Sequence, residues 1–197
     1  MFIIVALGNP GEEYLGTRHN TGRIILEDFW KKFDFPEFEM NKKYQSLSSE
    51  GKVGKEKVLL LEPETFMNKS GNALKTLVTS AKKAEQLIVV HDDLDIPLGK
   101  FKVSFNKSSG GHNGIESIIK AVKTQGFIRI RIGITPASPS GKLKKPAGEK
   151  AIIDHILGKF KKPEAETIKK VSKKVSEALE MIIKEGREKA MGEFNSL

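Results

Sequence analysis

An α/β domain is the fold class this sequence predicts, and three observations carry that reading. Hydrophobic periodicity switches between strand-like and helix-like runs along most of the chain. Phe2 to Leu7 is continuously apolar, as expected of a buried strand, and Gln86 to His91 contains a second buried run, Leu87-Ile88-Val89-Val90. No internal repeat and no dividing linker interrupts the 197 residues, a length that suits a single domain with a real core.

Between those strands, Gly22 to Phe33 carries Ile25, Phe29 and Phe33 at helical spacing, with Asn20 or Thr21 available as a cap. Ser46 to Val53 and Lys57 to Leu61 read as a hairpin turning near Gly54-Lys55. Asn72 to Lys83 places Leu74, Leu77, Val78 and Ala81 on one helical face. Lys100 to Phe105 alternates like a strand, and Ile115 to Lys123 is a short helix. In the strand Phe127 to Ile134, Arg129 and Arg131 share one face while Ile128, Ile130 and Ile132 share the other. Thr135 to Glu149 holds Pro136, Pro139, Gly141, Pro146 and Gly148, which predicts a mobile loop long enough to carry function as a lid. A long helix begins near Pro163 with the stripe Ile168, Val171, Val175, Leu179 and Ile182, and Gly186 ends it. The tail has room for one or two further amphipathic turns.

Composition narrows the chemistry. There is no cysteine, which excludes disulfides, thiolate catalysis and cysteine-based zinc sites. With 34 Lys plus Arg against 25 Asp plus Glu the formal charge is +9, which favours polyanionic partners, although Lys169-Lys170 and Lys173-Lys174 also fit a solvated helix face. No stretch approaches the roughly 20 apolar residues that span a bilayer. The N-terminus reads as a first strand and not as a signal peptide, so the expected compartment is the cytoplasm. Without a heptad seam, a monomer is the expected state.

Five polar segments stand out: Gly8-Asn9-Pro10-Gly11, Thr17-Arg18-His19-Asn20, Phe66-Met67-Asn68-Lys69-Ser70-Gly71, His91-Asp92-Asp93-Leu94-Asp95 and Gly110-Gly111-His112-Asn113-Gly114. Asn9 follows the first strand, Asn68 follows the Leu59–Leu61 run, and Asp92 ends the Val89-Val90 run. If those strands run parallel, the segments converge at their carboxyl ends, where open α/β sheets bind ligands. Each has a structural reading as well: Asn-Pro-Gly forms turns, Asn68 could cap a helix, the glycines of Gly110–Gly114 could supply positive φ, and His155 sits in a helix-like segment.

The chemistry available is hydrolytic. There is no Gly-x-Ser-x-Gly elbow, so a covalent nucleophile has little support. A histidine titrates near neutrality and can deprotonate water, a carboxylate such as Asp92 can hold its tautomer, and asparagine amides can bind carbonyls or stabilise an oxyanion.

At these segments the sequence resembles the bacterial peptidyl-tRNA hydrolase family. The resemblance runs from Leu7-Gly8-Asn9-Pro10-Gly11 through Tyr14–Gly22, Pro63–Gly71, His91–Pro97, Gly110–Gly114 and Phe127–Ile134 to Ile156-Leu157-Gly158-Lys159-Phe160. It implies a single-domain, mixed and mostly parallel twisted sheet flanked by helices. It implies hydrolysis of the ester between a peptide and the tRNA 3′ ribose, with His19 as base and Asp92 as its orienting partner. Asn9, Asn68 and Asn113 would bind substrate, with Tyr14 and Met67 lining the cleft and His112 nearby. No metal or cofactor is implied, and the partner is the acceptor stem and 3′ end of peptidyl-tRNA. Relatives place two basic residues, two positions apart, against a tRNA phosphate; here Lys102 fills the first position and Ser104 the second, so Lys100 or Lys107 would have to compensate. A weaker clamp raises KM more than it lowers kcat. Two rival readings remain open: an RNA-binding relative of the same fold without hydrolysis, and a metallohydrolase built on His91, Asp93 and Asp95.

Overall fold

A computed structural model describes residues 1–196. Its frame is a seven-stranded sheet made of β1 (Phe2–Ala6), β2 (Glu39–Asn41), β3 (Ser46–Val53), β4 (Glu56–Pro63), β5 (Leu87–Pro97), β6 (Phe101–Phe105) and β7 (Ile128–Thr135), in the order β2-β3-β4-β1-β5-β7-β6. The inner strands run parallel: β1 pairs with β4 and β5, and β5 pairs with β7. The outer pairs β2–β3, β3–β4 and β6–β7 are antiparallel, so the sheet is mixed. The continuous apolar runs occupy the centre, because parallel strands covered on both faces have no solvent side to leave polar.

Helices cover both faces. On one lie α1 (Thr21–Lys32), α5 (Lys162–Glu185) and α6 (Arg187–Phe194), packed over Ile4, Ala6, Ile88, Val90, Ile128 and Ile130. On the other lie a 3₁₀ segment (Met67–Leu74), α2 (Ala81–Ala84) and α3 (Asn113–Val122), packed over Ile3, Val5, Leu59, Leu61, Leu87 and Val89. The alternation of burial along each strand thus feeds two cores. A further helix, α4 (Glu149–Leu157), has no buried residue and leans on the 3₁₀ turn Arg18–Asn20. The stripe expected for the long helix is buried from Ile168 to Ile182, and Gly186 stops it at φ 97°.

The helix expected over Asn72–Lys83 is not one element. The 3₁₀ segment stops at Leu74, the stretch Thr76 to Thr79, where Thr76, Val78 and Thr79 are β-branched, is non-helical, and Ser80 restarts the chain as the cap of α2, its Oγ accepting from Lys83 N. Leu74 and Val78 are still buried, so the hydrophobic spacing reported burial correctly but not the helical turn. β2 pairs with β3 without any apolar alternation, and the short helix α4 follows the loop. β5 continues through Asp92 and Asp93 to Pro97 because β7 keeps pairing with it across a bulge. The loop expected over Thr135–Glu149 folds on itself through an Ala137–Leu143 bridge.

Gly22 sets the height of α1 above the sheet. A Cβ there would lie 2.5 Å from Val90 O and 2.6 Å from Leu7 N and O. The first turn of α1 therefore rests on strand backbone, directly after the turn that carries His19. Gly22→Ala is expected to cost about 2–3 kcal/mol through overpacking. That corresponds to a Tm loss of roughly 5–10 °C for a chain of this size, readable by calorimetry. An unchanged Tm would mean that α1 lifts off freely.

Candidate active site

The carboxyl ends of the parallel strands bring the polar segments together as their placement predicted. His19 sits in the 3₁₀ turn Arg18–Asn20, between two anchored neighbours. Arg18 reaches the far side of the chain: Nη1 donates to the carbonyls of Gly158 (3.1 Å) and Lys159 (3.2 Å), and Nη2 pairs with Glu164 at 2.8 Å. Its guanidinium also lies over Phe160. On the other side, Asn20 Oδ1 accepts from Asn9 N and Asn20 Nδ2 donates to Asn9 O, both at 2.9 Å. Asn20 precedes α1 but makes no side-chain cap, because its amide is spent on the Asn9 turn.

His19 Nδ1 lies 3.0 Å from each carboxylate oxygen of Asp92, and both residues are buried. Burial pushes the His19 imidazole down, but the charge and hydrogen bond of Asp92 more than offset this, leaving its pKa above the ordinary 6.5. Burial likewise pushes Asp92 up, yet its electrostatic attraction to the two imidazoles, His19 first, and the hydrogen bonds they give it hold it well below the usual carboxylate range. Asp92 is therefore an anion that accepts from Nδ1–H of His19, and in the neutral imidazole it is Nε2 that carries the lone pair. Next to them, His91 is fully enclosed; burial holds it well below 6.5, its Nδ1–H donates to Asp92 O at 2.7 Å, and among the described residues its Nε2 has no partner.

Asn9 is oriented by a hydrogen bond that periodicity could not reveal. Its Oδ1 accepts from Met67 N at 2.8 Å, which turns Nδ2 outward as an unspent donor. Met67 is buried, with its sulfur against the Gly114 backbone, where an added Cβ would come within 2.5 Å. Asn68, next in the 3₁₀ segment, is exposed and caps no helix. His112 caps α3: its Nδ1 accepts from Gly114 N (3.1 Å) and Ile115 N (3.4 Å), while its Nε2 lies 3.0 Å from Asp92 Oδ1. Both ring nitrogens of His112 are thus engaged within the protein.

Two cavities meet at Asn113. The larger, about 580 Å³, contains His19 and Asp92 at its floor; Gly110, Gly111 and His112 form one wall, and Ile152, Ile153 and Ile156 of α4 form another. Lys145 closes part of its rim by pairing with Asp95. The smaller, about 400 Å³, runs past Asn68, Asn72 and Lys75 to Lys120 on α3. Tyr14 is half-buried and edge-on to Phe66, and it lines neither cavity. Of the expected phosphate-binding lysines, Lys102 is exposed on β6 opposite Arg131 of β7, while exposed Lys100 and Lys107 flank the ends of that strand. Ser104 is buried opposite Arg129. None of the three lysines lines either cavity.

Sequence reasoning passed over Arg131, bound to Asp93 at 2.8 Å, and the isoleucine wall of α4. An alternating Arg129/Arg131 face and an Ile-Ile-x-x-Ile spacing were visible signals, but neither says which way the element faces. Residues His91, Asp93 and Asp95 do not gather as a ligand set: Asp93 holds Arg131, Asp95 holds Lys145, and His91 Nδ1 is engaged. Among the described residues, one group of histidine and carboxylate atoms falls within 4.8 Å of one another, His19, Asp92 and His112. Those atoms already satisfy one another, the two imidazole N–H groups as donors and the Asp92 carboxylate as acceptor.

The family model described as peptidyl-tRNA hydrolase matches residues 3–197. A peptidyl-tRNA hydrolase of Thermoanaerobacter sp. (strain X514) is 42% identical over 99% of this chain and 100% of its own length. One from Clostridium novyi (strain NT) is 38% identical over 99% of this chain and 98% of its own. The crystal structure of peptidyl-tRNA hydrolase from Acinetobacter baumannii superposes with a TM-score of 0.87 at 28% identity, covering 100% of this chain and 95% of that one. With the site assembled and the match spanning the chain, the protein belongs to the peptidyl-tRNA hydrolase family.

Proposed function

We propose that this enzyme hydrolyses the ester joining a peptide to the 3′ ribose of tRNA, with His19 as general base and Asp92 as the group that orients it. The observation that carries the assignment of roles is the His19 Nδ1–Asp92 carboxylate pair at 3.0 Å, set at the floor of the larger cavity. A water held by Nε2 loses its proton to the imidazole as its oxygen attacks the ester carbonyl. Asp92 stabilises the imidazolium that forms. The outward Nδ2 of Asn9 donates to the carbonyl oxygen as it becomes an oxyanion, and Asn113, at the junction of the cavities, and Asn68 hold the two arms of the substrate. Collapse breaks the bond to the ribose oxygen, which takes the proton back from His19, releasing peptide acid and tRNA. Tyr14 and Met67 shape the cleft around the ester.

Lys102, exposed beside Arg131, is the first residue we assign to tRNA phosphate, with Lys100 and Lys107 as weaker contributors. Lys102→Ala is expected to raise KM with kcat nearly unchanged and to reduce the salt dependence of binding by about one counterion, read from log KM against log[KCl]. An unchanged slope would place the phosphate contact elsewhere. The protein is read as a cytoplasmic monomer. In the described residues no helix is long and apolar enough to cross a membrane.

The experiment is single-turnover hydrolysis of an N-acetylated aminoacyl-tRNA, with the free-amine aminoacyl-tRNA as control. Release from the acetylated substrate supports the reading. Tight tRNA binding without release by the wild type would favour the RNA-binding alternative.

A further inference from the structure

We infer that His112 is a positioning residue for this reaction, fixing the Asp92 carboxylate beneath His19 and not binding substrate. The inference rests on the hydrolytic reading of His19 and Asp92 given above. Its basis is the occupancy of the two ring nitrogens. Gly114 N and Ile115 N, at the start of α3, both donate to His112 Nδ1. A nitrogen that accepts from backbone N–H groups carries no proton, so the ring's one proton sits on Nε2. That N–H points at Asp92 Oδ1 from 3.0 Å. The helix terminus thereby selects the tautomer of a side chain whose other end selects the position of the carboxylate.

The consequences reach His19. Its Nδ1 is equidistant from both oxygens of Asp92, so on its own it does not stop the carboxylate from rotating about its last bond. The second imidazole claims Oδ1 and removes that freedom. It is also held in turn, since its ring lies edge-on to His91 at 4.8 Å and tilted against His19 at 5.0 Å. A donor shared with Asp92 also draws off part of the negative charge that His19 would otherwise receive, which limits how far Asp92 raises the proton affinity of His19.

Other charged groups around the pair are fixed by partners of their own. Arg131 of β7 holds Asp93, and Lys145 holds Asp95. Arg129 of β7 donates to Ser108 O, and His91 donates to the Asp92 carbonyl. Glu149 of α4 lines the opposite wall of the cavity. Substitution of His112 leaves all of them in place, so a shift in the pH profile reports on the His112–Asp92 contact.

The test uses His112→Asn, because asparagine is a strong N-cap whose side-chain oxygen serves the same two N–H groups but is too short to reach Asp92. The expected result is a Tm close to wild type, KM within about twofold, and kcat lowered by about 10- to 100-fold, the scale of a lost orienting partner. The acid limb of the kcat profile is expected to move to higher pH, because Asp92 then gives its full charge to His19. Unchanged kcat and unchanged acid limb would reduce His112 to a helix cap and overturn the inference. A raised KM with kcat intact would make it a substrate-binding residue and overturn it equally. His112→Ser, a second capping variant, serves if the asparagine variant fails to fold. Nitrogen-15 NMR of the wild-type imidazoles decides independently of either variant: a proton on Nδ1 of His112 would refute the arrangement. Wild-type turnover with loss in His19→Ala is the control; if the wild type itself is inert, the hydrolytic reading fails, and the NMR result still judges the His112 geometry.

Discussion

His19→Ala is expected to lower kcat for N-acetylaminoacyl-tRNA by roughly 10³- to 10⁴-fold, the upper part of the range that a positioned general base supplies. The magnitude follows from the geometry: within the described residues, no other side chain with a free lone pair of suitable basicity shares the floor of the cavity. His91 has an unpaired Nε2, but burial holds it well below 6.5 and it is fully enclosed. His112 has both nitrogens engaged. KM should change little, since the asparagines and Lys102 that are assigned to substrate remain. The stability effect has a definite sign. A folded pKa raised above the unfolded value contributes stability that is fully present below about 6.5 and is lost as pH rises through the folded pKa. His19→Ala should therefore cost more in a urea melt at pH 6 than at pH 9, while the loss of turnover persists at both. A variant with near wild-type kcat would remove His19 from the reaction.

That this pair could be named from the sequence, and much around it could not, has physical reasons. Phe2–Leu7 and Leu87–Val90 were legible because a strand buried on both faces leaves no alternative to a continuous apolar run, and the ends of such strands mark where ligands bind. Ile168 to Ile182 was legible because its stripe runs for four turns without interruption. Asn72–Lys83 was misread because its apolar positions pack against α3 and the sheet in a 3₁₀ turn followed by an irregular link; burial imposed the spacing and the β-branched residues broke the helix. The near end of β5 looked like a polar loop because His91, Asp92 and Asp93 are hydrophilic, but their side chains meet partners at the sheet edge while their backbone stays in the ladder. At the site, residue types pointed to Asn9, His19 and Asp92. The contacts that aim them did not show. Arg18 holds the His19 turn through Glu164, 146 positions away, and the Asn9 amide is set by Met67 N, 58 positions away. No local pattern encodes pairings at that separation.

Asp92→Asn is the second large effect expected, a fall in kcat of roughly 10²- to 10³-fold with the fold retained. The carboxylate receives two N–H groups, Nδ1–H of His19 and Nε2–H of His112, and supplies two acceptors. An amide has the same shape but offers one acceptor and one donor. The His112 proton is locked onto Nε2 by the cap of α3, so that ring takes the single carbonyl oxygen. The introduced NH₂ then faces Nδ1 of His19 and can be satisfied only if that nitrogen gives up its proton. The proton moves to Nε2, and the lone pair that deprotonates water is gone. In the minority of molecules that keep the original tautomer, burial is no longer offset by an anion, so the His19 pKa falls below 6.5 in place of lying above it. The acid limb of the kcat/KM profile, which reports the free enzyme, should accordingly shift to lower pH as the plateau drops. The direction distinguishes this variant from His112→Asn, which moves the limb upward, because one substitution removes the charge beneath His19 and the other stops sharing it. A lowered plateau with an unmoved limb would mean that Asp92 supports the fold of the cleft and does not set the proton affinity of His19.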